Sequence, residues 1–203
     1  MTTLNALALV CTLKKGGETS SSELLARQVL DELAEHDCAT DLVRLADRGV
    51  SFGVSTDEGD GDGWPEIRDQ VLAADIVVLA TPIWMGQPAS VCKMALERLD
   101  AELSETGPSG RPTLYGKVAG IAVVGNEDGA HHVTAEVAQA LVDVGFSVPA
   151  QAATYWVGEA MGSVDYQDLE KTPEKTAGTT RTLAANAVHL ARLLRASNYP
   201  IPG

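Results

Sequence analysis

Apolar runs and helix-spaced apolar residues alternate along this chain of 203 residues. Leu4 to Cys11, Asp75 to Ala80 and Val118 to Val124 are nearly unbroken aliphatic stretches, each with the length and branching of a strand buried on both faces. Thr40 to Leu45 and Val148 to Tyr155 complete five expected strands. Between them, Leu24, Leu25, Val29, Leu30 and Leu33 fall at helical spacing within Ser22 to His36, and Trp64 to Ala73 predicts a short helix. Pro88 to Leu103 predicts a longer one with Pro88 near its first turn. His131 or His132 to Val144 gives a fourth, stopped by Gly145 in the C′ position, and about Glu174 to Ala196 a last. Five strands alternating with five helices predict an α/β fold with a doubly wound, five-stranded parallel sheet. Residues 157 to about 173 read as a long irregular segment, and Tyr199-Pro200-Ile201-Pro202-Gly203 as a non-helical tail.

In such a sheet ligands bind at the carboxyl ends of the strands, which draws three loops together. The first, Thr12-Leu13-Lys14 to Ser20-Ser21-Ser22, offers hydroxyls and backbone N–H groups at a helix start, as a phosphate requires, and Lys14 adds a point charge. Its alternative is a plain helix cap, with Ser20 and Glu23 as a capping box. Neither G-x-G-x-x-G nor G-x-x-x-x-G-K-[ST] occurs there, which argues against a dinucleotide-binding Rossmann domain and a P-loop NTPase. In the second loop, Pro82-Ile83-Trp84-Met85-Gly86, flat apolar surface and unobstructed backbone N–H groups suit a planar heteroaromatic ring. The alternative is packing over the sheet edge. The third loop, Gly125-Asn126-Glu127-Asp128-Gly129-Ala130-His131-His132, has two glycines for close backbone approach and polar side chains for a ring edge, against an ordinary turn with an Asp N-cap.

Other chemistry is weaker. Adjacent helical residues point about 100° apart, so His131 and His132 are poorly disposed to share one metal; one of them beside a bound ring competes with a solvent-facing cap. Asp57-Glu58-Gly59-Asp60-Gly61-Asp62-Gly63 begins like an EF-hand, but Pro65 and Asp69 break the pattern, and an acidic surface loop leading through Asp62 or Gly63 into the helix is expected. No G-x-S-x-G supports a serine hydrolase. Fifteen basic against 28 acidic residues give a net charge of −13, which opposes nucleic acid or anionic membrane as a partner. No change of composition marks a second domain, so one domain over residues 1–203 is expected. Cys11, Cys38 and Cys92 form no C-x-x-C, suggesting neither disulfide nor zinc site. Met1-Thr2-Thr3-Leu4-Asn5 lacks a basic flank, and no apolar run approaches the ~18 residues of a membrane span. A soluble, cytoplasmic protein is expected.

Taken together, the three loops resemble those of the flavodoxin-like NAD(P)H-dependent FMN reductase and quinone reductase family. That family's first loop, Ser-Leu-Arg, a spacer and Ser-x-Asn/Thr, is similar to Thr12-Leu13-Lys14 and Ser20-Ser21-Ser22 with a longer spacer. Its flavin loop, Pro-x-Tyr/Trp-x-Gly-x-x-Pro followed by Lys and Asp/Glu-Arg, resembles Pro82-Ile83-Trp84-Met85-Gly86-Gln87-Pro88 with Lys93 and Glu97-Arg98. The third loop carries fewer glycines than is usual there.

The resemblance implies strand order 2-1-3-4-5 with FMN at the carboxyl edge. It implies phosphate contacts from Thr12, Lys14, Ser20, Ser21 and Ser22. The ring would lie between Pro82, Ile83, Trp84, Met85 and Gly86 on one side and Gly125, Asn126, Glu127, Asp128, Gly129 and His131 on the other. It further implies NAD(P)H as hydride donor, a small acceptor such as free flavin, a quinone, or an azo or nitro compound, and no catalytic side chain. A flavodoxin-type electron carrier docking on redox partner proteins also fits the acidic surface, and a non-redox binding module is a third class. The segment Tyr155 to Gly162, with Trp156 and Met161, is expected to cover the flavin or a neighbouring subunit. Related reductases complete the pocket across a dimer, so at least a homodimer is expected.

Overall fold

The computed structural model describes residues 3–201; Met1, Thr2 and the last two residues of the expected tail, Pro202 and Gly203, lie outside the described residues. In chain order the elements are β1 (Leu4–Val10), α1 (Ser21–Ala34), β2 (Cys38–Arg44), α2 (Trp64–Ala73), β3 (Ile76–Trp84), β4 (Gln87–Pro88), α3 (Ser90–Asp100), β5 (Val118–Gly125), α4 (Ala130–Asp143), β6 (Ala153–Val157) and α5 (Glu174–Ala196). Short 3-10 turns occupy Leu45–Asp47, Ala101–Ser104 and Tyr166–Asp168. The main path of the sheet runs β2-β1-β3-β5-β6. Every pairing along it is parallel. With the two-residue β4 set aside, this is the flavodoxin-like order 2-1-3-4-5.

The aliphatic runs are continuous because both faces of the sheet are covered. Leu7, Leu9, Val77, Leu79, Ile121 and Val123 pack with Ile67, Ala95, Leu99, Val133, Val137 and Leu141 on one face. Their neighbours Ala6, Ala8, Val10, Val78, Ala80 and Ala122 pack with Leu25, Val29, Leu33, Leu183, Ala187 and Ala191 on the other. Each Val or Leu so buried contributes about 1.5–3 kcal/mol relative to exposure.

Most element boundaries fall within three residues of the sequence expectation, and three differences bear on the site or the sheet. β3 does not stop at Ala80, since Thr81 and Pro82 continue the pairing with Val123 and Val124 of β5. Ile83 and Trp84 then pair antiparallel with Pro88 and Gln87 of β4. Pro88 therefore belongs to a short hairpin, and α3 begins at Ser90. The last strand starts at Ala153, not Val148: Ser147 makes one isolated bridge to Val118, after which Pro149 supplies no N–H and Gln151 turns left-handed at φ 55°. Asp62 is not on the surface. Its carboxylate is fully buried against the guanidinium of Arg98 at 2.7 Å, and it accepts N–H bonds from Ser51, Glu58 and Trp64, each at 3.0 Å.

Among the described residues no helix is long and apolar enough to cross a membrane, and no group of three or more His, Cys, Asp or Glu is arranged to hold a metal ion. The three cysteines are free and buried.

Candidate functional site

Parallel order brings the carboxyl ends of β1, β3 and β5 side by side, and the loops leaving them enclose a cavity of about 530 Å³. Thr12, Lys14, Ser20, Ser21, Ser22, Pro82, Ile83, Trp84, Met85, Gly125, Asn126 and Glu127 all line it, so most of the residues singled out from the sequence come together. Gly86, Asp128, Gly129 and His131 do not line it.

At one end lies the start of α1. Ser20 is its N-cap, with Oγ accepting the Glu23 N–H at 3.3 Å. Only half of the expected capping box forms, because the Glu23 carboxylate turns to Arg27 and Arg44. Burial raises the Glu23 carboxyl, but the hydrogen bonds from Arg44 and Arg27 outweigh it and hold the pKa below its ordinary value. That carboxylate is thus neutralised, and the positive end of the helix dipole faces the cavity with Lys14 nearby. Arg44, at the end of β2, also orders the loop itself, donating to the Lys15 carbonyl at 2.7 Å and the Glu18 carbonyl at 3.0 Å. The Gly16 N–H bonds to Asp47 Oδ1 at 2.6 Å. Sequence reading gave Arg44 no role, since its partners lie 21 to 29 positions away.

At the other end stands the β3–β4 hairpin. Met85 and Gly86 both have positive φ, 53° and 72°, the pattern of a type I′ turn, which matches the right-handed twist of paired strands. Trp84 is 52% and Met85 88% exposed, so both present apolar surface at the cavity's mouth. The backbone N–H groups of this turn are not unobstructed. Met85 N–H bonds to Glu127 Oε1 at 3.0 Å and Gly86 N–H to Glu127 Oε2 at 3.1 Å. Gly129 takes φ 129° and lies so close to Gly86 that a Cβ on it would approach the Gly86 Cα to 2.8 Å, so the two glycines pack on each other. A Cβ at Gly125 would likewise meet Ile83 Cβ at 2.9 Å.

His131 sits on the far side of this loop, its Nε2 3.1 Å from the Tyr155 hydroxyl and its ring edge-on to the tyrosine. His132 Nε2 lies 3.0 Å from Gln87 Nε2.

The third wall comes from Trp156 near the end of β6 and from the segment after it, which contributes Met161, Asp165 and Tyr166. It is tied to the β5 loop by the Gly158 N–H to the Gly125 carbonyl at 2.9 Å and the Met161 N–H to the Asn126 carbonyl at 3.0 Å. Asn126 Nδ2 donates to Asp165 Oδ1 at 2.8 Å, leaving its own Oδ1 buried with no protein partner. The Tyr166 hydroxyl donates to Gln28 at 2.6 Å, and the Gln167 N–H reaches Ser21 Oγ at 3.3 Å, so the segment closes onto α1. Asp165 and Tyr166 were missed from the sequence. The signal available was Asp165-x-x-Asp168, a reciprocal cap that starts the 3-10 turn. Cys11 borders Thr12 but is fully buried and does not line the cavity; the neighbouring Cys92 thiol and its burial push its pKa well above the ordinary value.

The profile of the NADPH-dependent FMN reductase family matches residues 4–162. A Streptomyces davaonensis protein named 8-demethyl-8-aminoriboflavin-5'-phosphate synthase is 33% identical over 208 residues, covering 97% of this chain and 80% of that protein. A Mycobacterium bovis protein named divalent metal cation transporter MntH is 35% identical over 200 residues, covering 95% of this chain; the chain spans 29% of that protein's length. Among solved structures, RosB with the bound intermediate 8-demethyl-8-formylriboflavin-5'-phosphate superposes with a TM-score of 0.86 at 33% identity, covering 97% of this chain and 82% of RosB.

Proposed function

This chain belongs to the NADPH-dependent FMN reductase family, and from that membership we propose that it holds FMN in the three-loop cavity and passes hydride from NAD(P)H to a small acceptor. The acceptor class is free flavin, a quinone, or an azo or nitro compound. The observation that carries the proposal is the polarity of one cavity, hydroxyls and a helix start at one end and the Trp84–Met85 surface at the other.

The residues fit FMN on three counts. Thr12, Ser20, Ser21, Ser22 and Lys14 form the donor-rich end a phosphate monoester needs, with Glu23 neutralised behind it. Trp84, Met85 and Trp156 give a ring flat apolar contact. Asn126, Glu127 and Asp165 place polar side chains on the cavity wall for a sugar hydroxyl or a ring edge. When bound, FMN supplies reversible hydride acceptance. The chain's own part is to bind, orient and shield: α1 anchors the anion, the hairpin sets the ring plane, and the 158–168 segment keeps water from one side. No side chain is assigned a proton transfer. We infer also that the acidic chain works as a homodimer, since Met161 (95% exposed) and Val164 (52%) form apolar surface beside the cavity.

The deciding experiment is anaerobic. Protein loaded with stoichiometric FMN is desalted and then mixed with NADH or NADPH. Retained flavin absorbance that bleaches with a nucleotide, and regenerates with a quinone, supports the reductase. Retained flavin that does not bleach favours an electron carrier, and failure to retain flavin refutes the assignment. The near-full-length likeness to the aminoriboflavin phosphate synthase favours a second reading, in which the flavin phosphate is itself the substrate and is altered on its ring. Mass spectrometry of the flavin after turnover separates the two, since a cofactor leaves with its mass unchanged.

A further inference from the structure

We propose that Glu127 is a positioning residue whose carboxylate locks the Met85–Gly86 turn, and thereby sets where Trp84 stands at the cavity rim. The inference rests on the cavity being the flavin site. The β3–β4 hairpin is only two residue pairs long, Ile83 with Pro88 and Trp84 with Gln87, and Pro88 has no N–H to give to its ladder. So short a ribbon does not hold its own shape. Its turn adds a second difficulty: Met85 stands at φ 53°, a conformation that L residues other than Asn and Asp seldom adopt and that Gly accepts freely.

Something outside the hairpin must impose that conformation, and the geometry points to Glu127. One carboxylate oxygen takes the Met85 N–H at 3.0 Å and the other takes the Gly86 N–H at 3.1 Å, a bidentate grip on two consecutive amides of the turn. Charge-assisted bonds of this kind are about twice as strong as neutral ones. The Gly86–Gly129 backbone contact and the Gln87–His132 side-chain contact press the same two loops together. Trp84, immediately before the turn, inherits its direction from it. A glutamine at position 127 would accept one of the two N–H groups and turn its own amide hydrogens toward the other, so charge as well as length matters.

Three variants test this, Glu127→Ala, Met85→Asn and the two combined. The second creates Asn-Gly, the pair that most favours a type I′ turn without outside help. FMN affinity is measured by quenching of flavin fluorescence, and hydrogen exchange at the Met85 and Gly86 amides is followed by NMR in flavin-free protein. Glu127→Ala is expected to weaken FMN binding at least about tenfold and to speed exchange at both amides by a similar factor. The double variant is expected to restore slow exchange at Gly86 and to bind FMN within about threefold of Met85→Asn alone, the variant that removes the Met85 contact by itself. Unchanged affinity and exchange in Glu127→Ala overturn the proposal. So does a double variant that binds FMN more weakly than Met85→Asn alone, because Glu127 would then act by touching the flavin. If the parent protein binds no FMN, the functional assignment falls, and the exchange rates alone decide the clamp: slow amides in Glu127→Ala refute it, and fast amides slowed again by Met85→Asn support it.

Discussion

Replacing Arg98 by Met should be among the most damaging single changes outside the cavity, and the cost follows from its partners. Its side chain is fully buried, donating to Asp62 Oδ2 at 2.7 Å, the Ser51 carbonyl at 2.9 Å and the Ser55 carbonyl at 3.1 Å, with the guanidinium carbon 5.6 Å from the Trp64 ring centroid. Met keeps the volume but leaves a buried carboxylate and two carbonyls without their donor. Removing one member of a buried ion pair costs about 3–5 kcal/mol. For a chain of this size each kcal/mol lowers the melting temperature by about 2–4 °C, so a fall of roughly 6–20 °C is expected in thermal unfolding followed by circular dichroism. Simple ion pairs often recover when both partners become apolar. This one should not, because Asp62 also accepts the Ser51, Glu58 and Trp64 N–H groups, and Arg98→Met with Asp62→Leu orphans all three. A melting shift below about 2 °C for Arg98→Met, or a double variant restored to parental stability, would refute the reasoning.

Asp62 also makes stability depend on acid. Burial raises its carboxyl, but the N–H bonds from Glu58, Ser51 and Trp64 and the Arg98 bond outweigh it and hold the folded pKa well below the ordinary value. The stabilisation is therefore complete above the unfolded pKa of about 3.9 and is lost as pH falls below it, so urea unfolding between pH 5 and 3, both near that value, should show a steep decline that Asp62→Asn flattens. At the cavity, Lys14→Gln should weaken FMN several-fold, by roughly 1 kcal/mol of lost phosphate attraction, while leaving riboflavin affinity unchanged; equal losses for both ligands in isothermal titration would contradict a phosphate role. Arg44→Met should free the Lys15–Glu18 loop and weaken FMN about tenfold, and parental affinity would show that the loop needs no anchor. Sedimentation velocity at micromolar protein should give a dimer that Met161→Asp shifts toward monomer, and a monomeric parent removes the homodimer reading.

Local chemistry made much of this protein legible. The alternation of apolar runs with helix-spaced residues specified the doubly wound sheet, since period and turn residues are properties of short segments. Trp64–Ala73 and Glu174–Ala196 begin and end where the sequence places them, marked by Pro65 near one start and Pro173 before the other. The three loops were identifiable because strand ends at one edge of such a sheet must meet.

What the chain could not disclose is what depends on partners distant in sequence. Nothing local says that Ile83 and Trp84 extend a strand, because that depends on their pairing across a two-residue turn held from position 127. Asp62 reads as one more acid in a surface run until Arg98, 36 positions later, is folded against it. Asp165 and Tyr166 join the cavity because Gly125 and Asn126 offer carbonyls that draw the irregular segment back across it. The sequence alone therefore determined the sheet and the neighbourhood of the site, since both follow from local periodicity. Only the tertiary structure decided which side chains face the cavity and which brace it, because a polar group's role is set by the partner that satisfies it, and here those partners are tens of residues away.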